Sequence, residues 1–256
     1  MKERADAKII RKHLTDESVN LKIETVDIID STNDEMKRRA ENGEGETALL
    51  IADAQTKGRG TKGRSFFSPD GTGIYMSFLL RPDFTPQECT LLTTMAAVSS
   101  ARAVERVTGI KLKIKWVNDL YLNGKKVGGI LTQAHFSKSG KEIEWAIVGM
   151  GINLSEPEGG FPDELKEIAA ALGDKDGNIK NRLIAEIANE FTSYYRSLTE
   201  KEFIKEYSER LLGLNEEISV KNGDEEYKGT VVGIDEMCHL KIRLADGSER
   251  VLNSAF

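Results

Sequence analysis

The stretch GRGTKGRSFFSPDGTG, residues 58–73, decides which fold the rest of the sequence can adopt. Its first glycines spell G-x-G-x-x-G, and Gly58 with Gly63, Arg64 and Ser65 nearly spell a P-loop in which arginine replaces the lysine. Both motifs hold phosphate only when a helix begins directly after the glycines. The next nine residues, SFFSPDGTG, contain one proline and two glycines, which oppose that helix. The sequence therefore argues against a dinucleotide-binding or P-loop fold.

The same loop is strongly basic although the protein is acidic. Lys57, Arg59, Lys62 and Arg64 have no acid among them, whereas the chain of 256 residues has a formal net charge of −6. That overall charge argues against general nucleic-acid or membrane binding, so any anion site must be local. Glycines let backbone N–H groups approach an anion, and arginine adds bidentate hydrogen bonds. The loop alone is equally consistent with a phosphate or carboxylate site and with a solvated tight turn.

Composition places the chain among ordinary globular proteins. Hydrophobic residues make up 39% of it and charged residues 30%, and the length suits one large domain with a small second one. Cys89 and Cys238 lie far apart and outside any CxxC pattern, so neither a disulfide framework nor a zinc site is indicated. With no signal-peptide pattern and no apolar run of 18 residues, we expect a cytoplasmic protein that does not bind membranes.

Patterns along the chain predict an α+β fold with a mixed, largely antiparallel central sheet and flanking helices. Thr85, Pro86 and Glu88 form a capping box at a helix start, and Asn123-Gly124 marks a tight hairpin. The predicted strands are 22–29, 47–54, 73–80, 111–116, 119–122, 127–136 and 142–149. The predicted helices are a short one from the cluster at 30–35 to residue 40, and then 85–107, 162–171, 179–198 and 202–212.

The pattern changes after residue 214, where short β runs alternate with turns such as Asn222-Gly223-Asp224. This change predicts a small β-barrel attached to the α+β body. We therefore expect two domains, residues 1–213 and 214–256.

Six segments in order resemble the biotin protein ligases over about residues 22–256. They are DSTN at 30–33, QTKGRG at 55–60, GRSFFSP at 63–69, KWVND at 115–119, KKVGGIL at 125–131 and GMGINL at 149–154. The resemblance implies a catalytic domain of the class II aminoacyl-tRNA synthetase and biotin ligase type, followed by an SH3-like barrel. It also implies the reaction: the biotin carboxylate attacks the α-phosphate of ATP, and the resulting biotinyl-5′-AMP biotinylates a lysine of a biotin carboxyl carrier protein.

The resemblance also assigns residues to biotin. Ser31, Thr32 and Asn33 match the family's polar turn at the ureido ring, and helix capping by these side chains is compatible with that role. Lys126 matches the lysine between the biotin carboxylate and the α-phosphate, where an ammonium group neutralises two approaching anions. The catalytic residues implied are Lys126, Arg59 and Lys115. The biotin-binding residues implied are Ser31, Thr32, Asn33, Gln55, Arg59, Gly60, Thr61, Lys126, Gly129 and Gly149.

The ATP side of the site is implied by the KWVND segment and the basic loop. The implied ATP-binding residues are Arg64, Phe66, Lys115 and Asn118. Asp119 is the expected magnesium ligand, because Mg²⁺ prefers one or two protein carboxylates together with phosphates and water. Two of these assignments have simpler alternatives, an exposed lysine at 126 and a surface arginine at 64. Trp116, in the same KWVND segment, is expected to pack in the core.

The sequence departs from the family pattern at several positions. Thr61 stands where many relatives carry arginine, Phe66 where tryptophan is frequent near adenine, and Val117 where the KWPND signature has proline. The chain ends at Phe256, before a further short strand that relatives usually add, which leaves closure of the barrel open. Twenty-two residues before the resemblance are too few for a winged helix, so we expect a ligase without repressor function or specific DNA binding.

Three alternatives are kept open at this point. A lipoate or octanoate ligase would share the adenylate chemistry, and a binding module would keep the cavity without catalysis. A dinucleotide oxidoreductase would require a helix directly after Arg64. The oligomeric state is also open, with a homodimer as one candidate.

Overall fold

The computed structural model describes residues 3–45, 47–174, 177–222 and 225–253. The strands in these ranges are β1 (Lys22–Ile29), β2 (Ala48–Gln55), β3 (Gly73–Leu80), β4 (Lys113–Lys115), β5 (Asp119–Leu122), β6 (Lys125–Phe136), β7 (Ile143–Asn153), β8 (Glu217–Asn222), β9 (Glu225–Ile234), β10 (Leu240–Arg243) and β11 (Glu249–Leu252). The α-helices are α1 (Ala7–Arg11), α2 (Thr32–Glu41), α3 (Cys89–Thr108), α4 (Lys180–Arg196) and α5 (Phe203–Arg210).

A seven-stranded mixed sheet forms the centre of the larger body. Its order is β1-β2-β3-β7-β6-β5-β4, in which β1 and β2 are parallel and every other neighbouring pair is antiparallel. This topology confirms the predicted mixed, largely antiparallel sheet. Strand β3 is buried along its whole length, because β2 and β7 pair with its two edges and helices cover its faces.

Helices cover both faces of the sheet unequally. One face carries the main core, in which α3 and α4 pack on apolar side chains such as Phe78 and Val148. The other face carries a smaller cluster under α2, where Met36 packs against side chains that include Leu79 and Ile147. Because α2 begins at the end of β1, its first residues lie at one end of this second face.

The predicted helix start is wrong by three residues, since the N-cap is Glu88 rather than Thr85, and only the half of the capping box that the Glu88 side chain makes is formed. The Thr85 N–H and hydroxyl both donate to the Glu88 carboxylate at 2.8 Å, and these bonds hold the pKa of Glu88 below its usual value. The backbone bonds of Glu88 to Thr85 and of Cys89 to Pro86 span three residues rather than four. The motif therefore closes a turn, and the α-helix begins only at Cys89.

The predicted helix over 162–171 is also wrong, because the segment forms consecutive turns. The Pro162 carbonyl accepts from the N–H groups of Leu165 and Lys166, but the chain then leaves helical geometry. The reason is a tertiary contact: Lys126 N–H donates to Ile168 O at 2.8 Å, and Ala170 N–H donates to Lys126 O at 2.8 Å. These bonds tie the segment to β6.

The C-terminal region forms a separate antiparallel sheet in the order β11-β10-β9-β8. This confirms a small β unit after the catalytic body. No pairing between β8 and β11 closes it into a barrel among the residues described, and the predicted turn at Gly223-Asp224 lies outside them. The domain boundary at 213/214 stays a prediction. Trp116 joins the two units, since its indole Nε1–H donates to Cys238 O at 2.9 Å.

Candidate active site

A cavity of about 310 Å³ lies between the start of α2, the glycine loop and strands β5 to β7. The structure brings every sequence-predicted site residue to its walls. These fifteen residues are Ser31, Thr32, Asn33, Gln55, Arg59, Gly60, Thr61, Arg64, Phe66, Lys115, Asn118, Asp119, Lys126, Gly129 and Gly149. These residues come from five segments that are far apart in the sequence, so only the fold brings them together. Their individual roles stay predictions.

The first turn of α2 forms the most buried wall of the cavity. Ser31 is the N-cap of this helix, and its hydroxyl accepts from Asp34 N–H at 3.3 Å. Ser31, Thr32 and Asn33 are each less than 5% exposed. Capping accounts for one lone pair of Ser31, which leaves its hydroxyl hydrogen free for a ligand in the cavity. The predicted compatibility of capping with binding therefore holds geometrically.

Gln55 connects the start of α2 to the glycine loop. Its side-chain Oε1 accepts from Thr32 N–H at 2.9 Å and from the Thr32 hydroxyl at 3.1 Å. Its Nε2 donates to the Ser68 hydroxyl at 2.9 Å, and Ser68 in turn donates to Phe66 O at 2.9 Å. Because both lone pairs of Oε1 are used, a ligand can meet Gln55 only through the second N–H bond of its amide.

The glycine loop folds as a narrow hairpin rather than as the start of a helix. Gly60 N–H donates to Arg64 O at 2.7 Å, and Lys62 and Gly63 turn the chain with φ of 56° and 72°. The chain from Arg64 to Pro69 is extended or irregular, so the absence of a following helix is confirmed for these residues. This rules out the P-loop and dinucleotide-fingerprint readings at this position.

The two arginines of the loop have different partners. Arg59 Nε donates to Asp34 Oδ2 at 2.9 Å, so this cation spans the cavity mouth to the first turn of α2. Arg64 folds back on the loop and donates to the Thr61 hydroxyl at 3.0 Å. The Thr61 hydroxyl therefore accepts a hydrogen bond from a cation of the same loop.

The aromatic ring of Phe66 lies against the sheet beside the cavity. It meets the Tyr75 ring edge-on, with centroids 6.3 Å apart. A Cβ placed on Gly151 would come within 2.7 Å of the Phe66 ring, so the ring covers a bare stretch of β7. The absence of a side chain at Gly151 thus provides the space in which the Phe66 ring lies.

Lys126 and Asp119 form the charged centre of the cavity. Lys126 Nζ lies 2.6 Å from Asp119 Oδ1, and their side chains are 31% and 20% exposed. A Cβ on Gly129 would approach Lys126 Nζ to 3.2 Å, so the glycine provides the space in which the ammonium lies. The two charges are close enough to orient each other and exposed enough to meet a ligand.

The remaining residues of the KWVND segment flank this pair. Lys115 Nζ lies 5.6 Å from the centre of the Tyr121 ring, a cation–π contact. Asn118 Nδ2 donates to Ile130 O at 2.8 Å, which turns the amide oxygen away from β6. Asp119 is the only acidic residue among the described residues that line the cavity.

The salt bridges behind α2 stabilise the outer side of this wall. Arg38 donates to both oxygens of Asp30 at 2.9 Å, and these bonds lower the pKa of Asp30 to about 2. Arg39 and then Arg38 likewise hold the pKa of Glu35 below its usual value through hydrogen bonds. These groups lie on the polar side of the helix and do not line the cavity.

Several cavity residues were not predicted from the sequence. Tyr121 and four apolar residues of the segment at 161–169 line the cavity directly, and Ser77 and Gln133 lie one layer behind Asn33. Ser77 carried a usable signal, because it is a small polar residue in the middle of a strand, GIYMSFLL, that is otherwise apolar or aromatic. The segment at 161–169 carried a misleading one, since its helical pattern hid its contact with Lys126.

Comparisons with known proteins agree with this geometry. The family model for the Biotin/lipoate A/B protein ligase family matches residues 25–153, and that for the Biotin protein ligase C terminal domain matches residues 213–255. The Bifunctional ligase/repressor BirA of Bacillus spizizenii is 35% identical over 233 residues, covering 89% of this chain and 71% of the relative. A biotin–[acetyl-CoA-carboxylase] ligase of Mycobacterium tuberculosis is 26% identical and covers 82% of this chain and 79% of the relative.

Solved structures give the same answer. The biotin protein ligase from Aquifex aeolicus in complex with biotin and ATP is 30% identical, with a TM-score of 0.76 over 91% of this chain and 96% of that one. The Leishmania major enzyme in complex with biotinyl-5-AMP, at 22% identity and a TM-score of 0.62, shares the fold. Fold and cavity thus define a protein of the biotin and lipoate ligase class. Within that class, the chain belongs to the biotin protein ligases.

Proposed function

We propose that this chain activates biotin with ATP to biotinyl-5′-AMP and transfers the biotinyl group to a lysine of a biotin carboxyl carrier protein. The observation that carries the proposal is the convergence of all fifteen predicted residues on one cavity. A polar pocket at the start of α2, a cationic loop and the Lys126–Asp119 pair all border that cavity. An acid with a polar ring and a nucleotide would fit such an arrangement end to end.

Lys126 serves the first half-reaction. An oxygen of the biotin carboxylate forms a bond to the α-phosphorus while the bond from that phosphorus to pyrophosphate breaks. Two anions must meet, and an ammonium group held between them lowers the cost of their approach and of the charge in the transition state. The bond of Lys126 to Asp119 fixes where that ammonium lies before substrates enter.

The glycine loop serves the second half-reaction. The neutral amine of the carrier lysine forms a bond to the biotinyl carbonyl carbon, the bond from that carbon to the phosphate oxygen breaks, and AMP and a proton leave. Water would destroy the mixed anhydride by the same route, so the site must exclude it. The hairpin at 58–66 borders the cavity and is tied to α2 by Arg59 and Asp34, a contact that a ligand phosphate can exchange for its own.

Asp119 fits a magnesium ion that enters with ATP. Mg²⁺ needs few protein ligands when phosphates and water complete its octahedron. No group of three or more histidine, cysteine or acidic side chains suited to a metal occurs among the described residues, in keeping with an ion held mainly by the nucleotide. Such an ion would neutralise phosphate charge, and the Asp119 carboxylate with the side-chain amide oxygen of Asn118 would hold it on the protein side.

The first test is biotin-dependent exchange of labelled pyrophosphate into ATP. We expect exchange with biotin and none with lipoate or octanoate, and a loss of about 10²-fold or more in Lys126→Ala because a transition-state charge partner is removed. Lys125→Ala is the matched control. It removes the neighbouring lysine, whose Nζ donates to Lys166 O outside the charged centre, and should leave exchange nearly unchanged.

Each alternative has its own signature in this experiment. Exchange with lipoate or octanoate would move the chain to the sister ligases, and folded protein without exchange for any acid would support a binding module. The carrier, homodimerisation, cytoplasmic location and lack of operator binding stay predictions. No helix in the described parts of the chain is long and apolar enough to cross a membrane.

A further inference from the structure

The central sheet has a small recess at Gly149, below the end of the cavity where we expect biotin to bind. Ser77 on β3 pairs with Gly149 on β7, and Gly149 pairs with Leu131 on β6. Directly opposite residues of antiparallel strands point to the same face, so these three form a row under the start of α2. Gly149 has no side chain, and a Cβ there would overlap Asn33 Oδ1. Asn33 therefore fills the space that the glycine leaves.

The amide of Asn33 is held by the protein on both sides. Its Oδ1 accepts from the Ser77 hydroxyl at 2.6 Å, and its Nδ2 donates to Gln133 Oε1 at 3.1 Å and to Leu131 O at 3.3 Å. An amide nitrogen has two N–H bonds, and both are used here. Asn33 thus has no donor left for a ligand, which sets it apart from Ser31 and Gln55.

Ser77 lies at the centre of a longer chain of hydrogen bonds. Its hydroxyl is fully buried and also lies 2.7 Å from Thr32 Oγ1. Thr32 in turn contacts Gln55, so the sequence of contacts runs from Gln133 through Asn33, Ser77 and Thr32 to Gln55. The hydroxyls of Ser77 and Thr32 therefore connect the side-chain amides of Asn33 and Gln55, both of which line the cavity.

We propose that Ser77, with Gln133 as its counterpart on β6, is a positioning residue that sets the geometry of biotin recognition by locking Asn33 and Thr32. This inference rests on the proposed function, because it names biotin as the ligand of that wall. Neither residue lines the cavity. They act through Asn33 and Thr32, which would otherwise turn in their recess and leave buried polar atoms without partners.

The test measures biotin binding by calorimetry and pyrophosphate exchange in the full chain. Ser77→Ala should raise the biotin Kd and biotin KM about tenfold or more, because Asn33 Oδ1 loses its donor. The KM for ATP and kcat should stay within about threefold. Ser99→Ala is the matched control: Ser99 is equally buried, donates only to Met95 O within α3, and lies outside the cavity.

A second pair of variants separates positioning from general stability. Gln133→Met removes the acceptor of the Asn33 amide and should weaken biotin binding, whereas Gln133→Glu keeps an oxygen at that position and should restore most of it. These variants also carry the test if Ser77→Ala does not fold. Unchanged biotin affinity in folded Ser77→Ala or in Gln133→Met would overturn the inference while wild-type exchange stands. A wild-type chain that binds no biotin would overturn the proposed function as well.

Discussion

A glycine is needed at position 149 for a different reason from the one that its sequence context implies. The resemblance places it where the sheet backbone approaches biotin, and it does line the cavity. The nearest atom to its missing side chain, however, is Asn33 Oδ1. The steric demand at this position thus arises within the protein, before any ligand is considered.

This reading predicts the effect of Gly149→Ala. The added methyl group must displace Asn33, and forcing a side chain into a filled site typically costs about 1–3 kcal/mol. We expect that loss in urea unfolding together with weaker biotin binding. Gly45→Ala is the control, because no atom lies within 4 Å of a Cβ at that position. Wild-type stability and affinity in Gly149→Ala would contradict the packing described here.

At the scale of elements, local signals predicted most strands and helices but not the contacts that end them. The strands at 22–29 and 73–80 were predicted to the residue. The helix predicted at 162–171 does not form, because this segment makes two backbone hydrogen bonds with Lys126 instead. No local sequence pattern encodes that contact. Ser77 and Gln133 were missed for the same reason: their partners lie 44 and 100 residues from them in sequence.

Helix α2 provides a pH-dependent test at this scale. The bonds of Arg38 lower the pKa of Asp30 to about 2 in the folded protein, below the value of about 3.9 for a free aspartate. A lowered folded-state pKa stabilises the fold above about pH 4, and that contribution is lost as the pH falls towards 2. Asp30→Asn should therefore be less stable than wild type at pH 5, with a difference that shrinks towards pH 2.5.

Chemical denaturation at a series of pH values measures this difference. Asp27→Asn is the control, because the side chain of Asp27 is 88% exposed and lies only at the outer limit of an ion pair with Arg4, at 4.0 Å. A constant gap between Asp30→Asn and wild type from pH 5 to 2.5 would show that the carboxylate charge is not what stabilises this end of α2.

Over the whole molecule, the small sheet is joined to the catalytic body by buried contacts. Cys238 is 3% exposed, and burial raises the pKa of its thiol to about 12. Cys89, at the start of α3, is 1% exposed, and burial raises its pKa to about 11. Since the thiolate is the reactive form, both thiols should be protected while the two units stay together.

Thiol counting tests this arrangement. With an aromatic disulfide reagent at pH 8, we expect no fast reaction in native protein and two thiols after full unfolding, in line with the two cysteines of the chain. Cys89→Ala isolates the signal of Cys238. Rapid labelling of that single thiol in native protein would mean that the C-terminal sheet separates from Trp116 without global unfolding.

The position of β3 in the sheet determines how long one of its edges stays unpaired during translation. Its residues are apolar and buried, yet the strand that covers one of its edges, β7, is synthesised roughly 70 residues later. At translation rates of about 5–20 residues per second, that edge waits on the order of 4–15 s for its partner. During this interval the nascent chain presents an unpaired strand edge, which is a template for pairing with another chain.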